Sequence, residues 1–337
     1  MSDDDPIDPE WLVERRAERD AQRLERRRQV RRRRIVALLS LLGVLAAAAI
    51  VVVLASGGSG SSGSKTKKTA GSEAKTVSAK AASGSKTRGE IEGEGGKVRN
   101  ATPQPGWEPF TGPVPILEYH VLGNPPETEE YPELFVRRPD FRHQLEWLDE
   151  NGYEAVTLEQ VEDAWYRGGT LPKKPIVLSF DDGYRPQFTF ALPQLRKHGW
   201  AGVLNLKAEG SDLYESNVKA MIAAGWELAA HTIHHLDLTE LGPEQLEEEV
   251  AGSREMLQRE FHVPVKNFCY PAGRFNPTVI EAVEAAGYEG ATTEIPGYAE
   301  KDKPYELARF EILRETGVSG LAEDLRTGEG ETAELGP

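Results

Sequence analysis

Eight short apolar runs that alternate with amphipathic helical patterns constrain the fold of this 337-residue chain more than any other feature. The runs have the length and composition of β-strands. Helix-start signals lie between them, including a capping-box pattern at Thr157 and Gln160 and a proline, Pro277, at a first helical position. Strands and helices in this alternation predict an α/β fold with a parallel sheet, open or closed into a barrel. The predicted strands are residues 114–119, 153–156, 175–180, 201–206, 226–230, 267–270, 290–293 and 309–313.

One much longer apolar segment lies far upstream of these strands. Residues 35–54, "IVALLSLLGVLAAAAIVVVL", carry no charge and are long enough as a helix to cross a hydrocarbon core of about 30 Å. Arginines crowd between Arg26 and Arg34, whereas the first charge on the far side is Lys65, so the N-terminus is expected in the cytoplasm. A cleaved signal peptide is the alternative interpretation, although its apolar region would usually be shorter.

The segment between the apolar helix and the first strand is rich in Gly, Ser, Lys, Thr and Ala and lacks large apolar residues. Such a composition cannot bury enough surface to fold, so a disordered tether is expected. The predicted organisation is a cytoplasmic arginine-rich segment (1–34), a transmembrane helix (35–55), a disordered linker (56–106), a folded domain (107–325) and a flexible tail (326–337).

Charge and cysteine content narrow the functional classes. The net charge is −15, and the acidic excess lies in the C-terminal part, which argues against a nucleic-acid partner. Cys269 is the only cysteine, so no intramolecular disulfide is possible, and its apolar neighbours predict a buried thiol. An exported domain of this kind must be held together by its hydrophobic core.

Polar residues of the predicted domain collect where strands end. His120 follows the first strand, Asp181 the third, His231 the fifth and Pro271 the sixth. Carboxyl ends of parallel strands meet at one rim, which is where sites form in α/β barrels and sheets. We therefore expect these residues to lie close together.

Two aspartates and two histidines suggest a metal site. Taken alone, the adjacent Asp181 and Asp182 are more often only a solvated turn than part of a functional site. His231 and His235, one helical turn apart, can face one point, and one carboxylate would complete a three-ligand site with an open position. The other carboxylate would be free to take a proton from a water that the cation activates. His234 should point elsewhere. Histidine pairs at this spacing also occur by chance on exposed helices.

The motifs "SFDDGY", "HTIHH" and "FCYPAGRF", in this order, resemble those of the polysaccharide deacetylase family, carbohydrate esterase family four, over about residues 113–315. The resemblance implies a distorted (β/α) barrel, with residues 107–325 as the catalytic domain. It implies that Asp181 is the catalytic base and that Asp182, His231 and His235 bind zinc or a similar divalent metal.

Further roles follow from the same resemblance. "PILEYH" and "YPAG" are similar to the subgroup that deacetylates poly-N-acetylglucosamine, in which a histidine at the position of His120 is the general acid. The backbone amide of Ala272 would be an oxyanion donor, although relatives often have an aromatic residue there. Arg309 would orient the base. The substrate-binding candidates are Tyr184, Tyr270, Pro271 and Gly273.

The sequence thus predicts a membrane-anchored, extracellular, metal-dependent deacetylase that acts, as a monomer, on N-acetylhexosamine units of a cell-wall or surface polysaccharide. One alternative is an O-acetyl esterase of acetylated glycans. Another is a catalytically silent glycan-binding module, which would tolerate the loss of Asp181. His143, His198 and His262 are expected to be structural.

Overall fold

The computed structural model describes residues 96–333, with side chains as far as residue 326. The predicted cytoplasmic segment (1–34), the predicted transmembrane helix (35–55) and most of the predicted linker lie outside these residues. No helix within the described range is long and apolar enough to cross a membrane.

A mainly parallel sheet forms the centre of the described residues, and it contains all eight predicted strands plus one short antiparallel strand. The strands are β1 Glu108–Pro109, β2 Val114–Tyr119, β3 Val121–Leu122, β4 Phe135–Val136, β5 Glu154–Val156, β6 Thr170–Leu171, β7 Pro175–Asp181, β8 Val203–Leu206, β9 Glu227–Ala230, β10 Asn267–Cys269, β11 Gly290–Thr292, β12 Tyr298–Ala299 and β13 Phe310–Glu311. In the central sheet the strand order is β11-β10-β9-β8-β7-β2-β12, with β13 also paired to β2 and β5 to β7. The other strands form two two-stranded sheets, β1-β6 and β3-β4.

The chain that leads into β13 links β11, at one end of the strand order, to β2, next to the other end. An isolated parallel bridge joins Thr292, at the end of β11, to Leu307, and three residues later the chain pairs with β2. Because β2 and β7 are buried along their whole length, both faces of the central strands are covered. This curled sheet with helices around it fits the predicted distorted (β/α) barrel.

Helices cover the sheet, and two of the predicted helix starts are confirmed. Thr157 and Gln160 form the predicted capping box, and Pro277 is the first residue of its helix, with Asn276 as the cap. The helices are α1 Arg138–Glu150, α2 Leu158–Tyr166, α3 Leu192–His198, α4 Glu215–Ala223, α5 Pro243–Glu247, α6 Ser253–Phe261, α7 Pro277–Ala285 and α8 Gly317–Ala333.

Aromatic side chains fill the space between the sheet and the helices. Phe180 of β7 lies 5.0 Å from Trp226 and 5.5 Å from Tyr119 of β2, measured between ring centroids. All three are buried, and each such side chain contributes about 1.5–3 kcal/mol of burial free energy. This packing holds β2 and β7 rigidly at the point where both strands reach the rim.

The folded region begins earlier than the predicted linker boundary of residue 106. The Val98 amide donates to Ala224 O at 2.9 Å, and the buried Asn100 side chain donates to Ala155 O at 3.0 Å. The predicted boundary was too late because average composition does not register a single apolar and a single amide side chain that dock on the domain.

The predicted flexible tail, residues 326–337, continues α8 as far as Ala333, and its last four residues lie outside the described range. Leu321 and Leu325, one helical turn apart, are buried and attach α8 to the domain. Glycines and acidic residues suggested fraying, but these two leucines anchor the preceding turns.

Candidate active site

The predicted rim residues converge at the carboxyl ends of the central strands. His120 follows β2, Asp181 ends β7, His231 follows β9 and Pro271 opens a turn just beyond β10. Strands β2, β7, β8, β9 and β10 are consecutive in the parallel part of the sheet, so their ends lie side by side. The fold therefore brings together the polar groups that the sequence spreads over 150 residues of chain.

Asp182, His231 and His235 form a group whose geometry fits a metal ion. Their nearest ligand atoms all lie within 4.8 Å of one another. Asp182 Oδ1 is 3.9 Å from His231 Nε2 and 3.6 Å from His235 Nε2. His231 Nδ1 lies 2.8 Å from Cys269 O, and since a carbonyl only accepts, Nδ1 donates and Nε2 keeps its lone pair for a ligand. Three protein ligands of this type match a catalytic divalent-metal site.

Burial keeps both histidines of this group in the neutral form that binds metals. It lowers the pKa of His231, and it lowers that of His235 to about 4, with the neighbouring His231 adding to the effect. The pKa of Asp182 is raised by burial, but the histidines and Lys207 outweigh this and hold it below its usual value. The donor set is thus one carboxylate and two neutral imidazoles.

The segment from His231 to His235 is a loop, and the expectation of helical spacing is wrong. Thr232 and His235 have left-handed backbone angles, with φ of 65° and 58°. The Thr232 hydroxyl accepts from the His235 amide at 2.8 Å, and this turn folds the second imidazole back beside the first, with ring centroids 4.7 Å apart. His234 points away as predicted, with Nδ1 2.6 Å from Glu249 Oε1.

Strained backbone conformations concentrate at this rim. Among the described residues, five non-glycine residues have positive φ, and four of them belong to the predicted motifs: Asp182, Thr232, His235 and Ala272. Such conformations cost about 1–3 kcal/mol each and persist where the surrounding structure holds them for function. The concentration of costly backbone conformations at this rim indicates that it is the functional part of the domain.

Asp181 is buried and held by a guanidinium group. Arg309 Nη1 lies 3.0 Å from Asp181 Oδ1, and Asn205 Nδ2 donates to the same oxygen at 2.7 Å. Burial alone would raise the pKa of Asp181. Arg309 and the nearby histidines lower it by a larger amount, so that the pKa lies well below its ordinary value. Among the residues that the structure describes, Oδ2 accepts a hydrogen bond only from the weak thiol donor of Cys269, at 3.4 Å, so it is the oxygen available to take a proton. Cys269 is buried, as predicted.

A second buried carboxylate, which sequence analysis missed, lies between Arg309 and His120. Glu118 Oε2 is 3.2 Å from Arg309 Nη2, and Glu118 Oε1 is 3.5 Å from His120 Nε2. Burial raises the pKa of Glu118 well above its usual value, and Arg309 opposes the shift. Arg309 therefore touches two carboxylates, and His120 is linked to Asp181 through Glu118 and Arg309.

The turn after β10 places its four predicted residues differently. Ala272 is partly exposed with φ of 53°. Gly273 has φ of 60°, and a Cβ there would lie 2.5 Å from the Glu294 Cβ, so glycine is required. Tyr270 and Pro271 are buried, and the Tyr270 hydroxyl donates to Tyr305 O at 3.1 Å. The prediction that Tyr270 and Pro271 contact substrate is therefore not supported, since both pack inward beneath the turn.

Tyr184 and Lys207 border the metal-binding group. The Tyr184 side chain is half-buried, and burial together with the neighbouring Asp182 carboxylate raises the pKa of its hydroxyl. Lys207 Nζ lies 3.5 Å from Asp182 Oδ1 and 5.8 Å from the centre of the Tyr184 ring. Tyr184 also lines a groove of about 750 Å³, with Val121, Arg138 and Asp212 on its other sides. A groove of this size beside the rim can take sugar units.

Three buried polar residues of the site were missed by sequence analysis: Glu118, Gln187 and Asn205. Gln187 Nε2 donates to His120 O at 3.0 Å and to Asp181 O at 2.6 Å, so it ties the two strand ends together. Glu118 and Asn205 stand inside apolar strands, "PILEY" and "VLNL". A charged or amide residue within a buried strand was the available signal, because such a group must have a polar partner.

The curled sheet and the paired aspartates and histidines at its rim define a hydrolase site of the polysaccharide deacetylase type. Residues 168–291 match the family model "Polysaccharide deacetylase". The chain belongs to the polysaccharide deacetylase family, carbohydrate esterase family four, and is a hydrolase that acts on N-acetyl groups of polysaccharides.

Three relatives illustrate the match. YxkH of Bacillus subtilis, whose name assigns it to the polysaccharide deacetylases, is 32% identical over 216 residues, covering 62% of this chain and 74% of YxkH. The Streptococcus pyogenes deacetylase PplD, solved in complex with acetate, superposes with a TM-score of 0.59 at 25% identity, over 64% of this chain and 99% of PplD. The poly-beta-1,6-N-acetyl-D-glucosamine N-deacetylase of Escherichia coli is 41% identical over 70 residues, which cover 21% of this chain and 10% of that protein.

Proposed function

We propose that this protein is a metal-dependent N-deacetylase of N-acetylhexosamine units in a cell-wall or surface polysaccharide, anchored to the membrane by residues 35–55 with its catalytic domain outside. The observation that carries the proposal is the juxtaposition of a three-residue metal-binding group with a buried aspartate and a histidine at one rim. Base, ligands and acid candidate are all present, which disfavours a silent binding module.

Asp182, His231 and His235 would hold the cation, zinc in this proposal. When bound, a divalent cation supplies Lewis acidity, which polarises an acetyl carbonyl and makes a water more acidic. The hydrogen bond from His231 Nδ1 to Cys269 O holds that imidazole with Nε2 turned toward Asp182. The chain thereby presents its three donors before the cation arrives.

Asp181 is the base in this proposal, and its surroundings prepare it for that role. Arg309 and Asn205 occupy Oδ1, so the carboxylate cannot rotate freely and Oδ2 is left to accept the proton of the attacking water. Arg309 is itself held, since its Nε donates to Thr293 O at 2.8 Å. The base is therefore oriented by a side chain that is itself fixed to the backbone just after β11.

The remaining steps fall to the turn after β10 and to His120. The Ala272 amide would donate to the negative charge that develops on the acetyl carbonyl oxygen when water attacks the carbonyl carbon, and this donor does not depend on the side chain. His120, in its protonated form, would give a proton to the nitrogen of the sugar as the C–N bond breaks. The products are acetate and a free amine.

The substrate proposal is supported by what relatives act on. The Escherichia coli relative is named for poly-beta-1,6-N-acetyl-D-glucosamine, and other matched proteins are named as peptidoglycan N-acetylglucosamine and N-acetylmuramic acid deacetylases. The groove beside Tyr184 offers space for sugars that flank the acetylated unit. We propose an N-acetylglucosamine polymer as the substrate class.

The anchored topology is supported by the uncharged run at residues 35–54 and the arginines before it. On intact cells, external protease should cut within residues 56–95 and release an active fragment. Recovery of the fragment only after lysis would contradict the outward orientation.

Acetate release tests the activity. The full chain, purified in detergent, is incubated with N-acetylated and O-acetylated glycans, with and without a chelator. We expect acetate from N-acetylglucosamine polymers, loss of activity with chelator and recovery on adding Zn²⁺. Acetate only from O-acetylated glycans would favour the esterase, and binding without acetate would favour the silent module.

A further inference from the structure

We propose that Lys207 competes with the divalent cation for Asp182, so that its ammonium group holds the metal affinity of the site below that of the three ligands alone. This inference rests on the proposed function, because it concerns the same metal-binding group. Neither the sequence motifs nor the names of the relatives give Lys207 a role. A lower affinity makes metal occupancy, and hence activity, depend more strongly on the free metal concentration around the domain.

The Lys207 ammonium lies against the carboxylate oxygen that the ligand group presents to a cation. Lys207 Nζ is 3.5 Å from Asp182 Oδ1. The same oxygen is 3.9 Å from His231 Nε2 and 3.6 Å from His235 Nε2. One oxygen of Asp182 therefore faces both the ammonium and the two imidazoles. A cation that takes this oxygen as a ligand must share it with the ammonium or displace the ammonium.

The backbone at Lys207 is fixed to the loop that carries both metal-binding histidines. Lys207 directly follows β8. The next two amides in the chain donate to that loop, Ala208 N to Thr232 O at 3.0 Å and Glu209 N to Ile233 O at 3.1 Å. The Lys207 side chain is only 19% exposed, so the ammonium is largely shielded from bulk water. Only rotation of the side chain can therefore take the ammonium away from the metal-binding group.

The ammonium weakens cation binding through both the metal-free and the metal-loaded protein. In the metal-free protein it compensates the Asp182 carboxylate, whose side chain is 10% exposed, and a carboxylate so buried is costly without such a partner. In the metal-loaded protein it must leave this oxygen or stay beside the cation and repel it. In either case the protein gains less free energy on binding the cation than it would without Lys207.

A contact with substrate is the competing interpretation, because Lys207 Nζ also lies 5.8 Å from the centre of the Tyr184 ring, which lines the groove. Lys207 itself does not line that groove. An ordinary surface ion pair is a second alternative, and the low exposure of both partners argues against it. The interpretations differ in the absence of substrate, where only competition changes the affinity for a metal ion.

Metal affinity measured without substrate tests the proposal. The full chain, purified in detergent and stripped of metal, is titrated with Zn²⁺ in competition with a chromophoric chelator. Lys207→Met keeps most of the apolar stem but removes the charge, and it should bind Zn²⁺ about 10- to 100-fold more tightly than wild type. Lys207→Arg keeps the charge and should stay close to wild type. The control is Lys219→Met, which replaces an exposed lysine that pairs with Glu215 on α4 and should leave the affinity unchanged.

Thermal unfolding separates competition from a merely structural role. Metal-free Lys207→Met should have a lower Tm than metal-free wild type, since Asp182 has lost its partner. Saturating Zn²⁺ should then raise the Tm of Lys207→Met by more than that of wild type, because tighter binding stabilises the folded state more. A lysine with a structural role alone would lower the Tm by the same amount with and without metal, and that result would overturn the inference.

The outcomes for the neutral variants decide between this inference and the function on which it rests. If Lys207→Met does not fold, the same gain in Zn²⁺ affinity is required of Lys207→Gln. Unchanged or weaker Zn²⁺ binding by the neutral variant, in a protein whose wild type binds one ion per chain, would overturn the competition alone. If wild type binds no divalent ion, the metal dependence in the proposed function fails first, and this inference falls with it.

Discussion

Asp181 and Asp182 are adjacent, yet they face different partners. Asp181 is paired with Arg309 and accepts from Asn205, whereas Asp182 points at His231 and His235. Alternation along a strand explains part of this, since consecutive side chains point in opposite directions. The left-handed φ of 75° at Asp182 turns the second carboxylate out of the strand toward the histidine loop. One dipeptide can thus supply both a base and a metal ligand.

Replacing each aspartate by asparagine should therefore have a different effect on metal binding and on acetate release. Asp181→Asn should keep one divalent ion per chain but lose acetate release by about 10²–10⁴-fold, the range of general-base contributions. Asp182→Asn should lose both the tightly bound ion and the activity. His234→Ala, a neighbouring histidine that pairs with Glu249, is the matched control and should lose neither.

Elemental analysis and acetate assays on the same preparations measure both outcomes. Near-normal acetate release by Asp181→Asn would remove that residue from the role of base. Full metal occupancy in Asp182→Asn would remove the carboxylate from the ligand set.

At the residue scale, the sequence was informative where a motif places a polar group at a strand end. It did not indicate that Tyr270 and Pro271 are buried, because being next to a motif does not tell which way a side chain packs. It gave no role to Glu118 or Asn205, because their partners Arg309 and Asp181 lie far away in the chain. Only tertiary contacts show what a buried polar residue serves.

At the element scale, two turns shape the site, the histidine loop and the turn after β10. The seven strands of three or more residues could be predicted from their apolar runs, as could the two-residue strand β13. The two-residue strands β3 Val121–Leu122 and β4 Phe135–Val136 lie in no such run and were not predicted. The histidine loop resembles a helix in sequence because its spacing is four. Its fold depends on the Thr232 hydroxyl and on left-handed angles, which spacing does not encode.

The turn after β10 should be sensitive to a single methyl group. Gly273→Ala meets both a left-handed φ of 60° and the Cβ and backbone N of Glu294 at 2.5 and 2.8 Å. Gly210→Ala, with φ of 74° and nothing within 4 Å, meets only the conformational cost and is the control. That cost is about 1–2 kcal/mol. Gly273→Ala should lower the free energy of unfolding, measured with denaturant, by at least about 1 kcal/mol more than Gly210→Ala does. Equal losses of unfolding free energy in the two variants would mean that the turn shifts to accommodate the added methyl group.

At the scale of the whole molecule, the end of the sheet away from the active site carries a second group of acids, the buried Glu162 and the partly buried Glu227. Burial raises the pKa of Glu162 on α2 to about 8 and that of Glu227 on β9 to about 7. The Asn267 amide donates to both carboxylates, at 3.3 and 2.8 Å. At neutral pH the folded domain therefore keeps Glu162 largely protonated, although the unfolded chain ionises it.

This difference predicts how stability depends on pH. Because the pKa of Glu162 is about 8 in the folded state, against 4.5 for an ordinary solvated glutamate, the folded state holds the extra proton between these values, and stability falls as pH rises through them. Glu162→Gln removes this loss. Its Tm advantage over wild type should grow from pH 5 to pH 8 and then level off, as thermal unfolding of both proteins would measure. If the Tm values of wild type and Glu162→Gln changed in parallel with pH, this would contradict a Glu162 that is protonated in the folded state.

The central claim is that the protein removes acetyl groups from amide nitrogen, and the most direct measurement counts both products in one reaction. The metal-loaded full chain is incubated with an N-acetylglucosamine polymer, and acetate and free amine are quantified over time. Our account predicts that both appear together in a one-to-one ratio, and that neither appears with Asp181→Asn or after chelation. Acetate without new amine, or undiminished release after chelation, would contradict it.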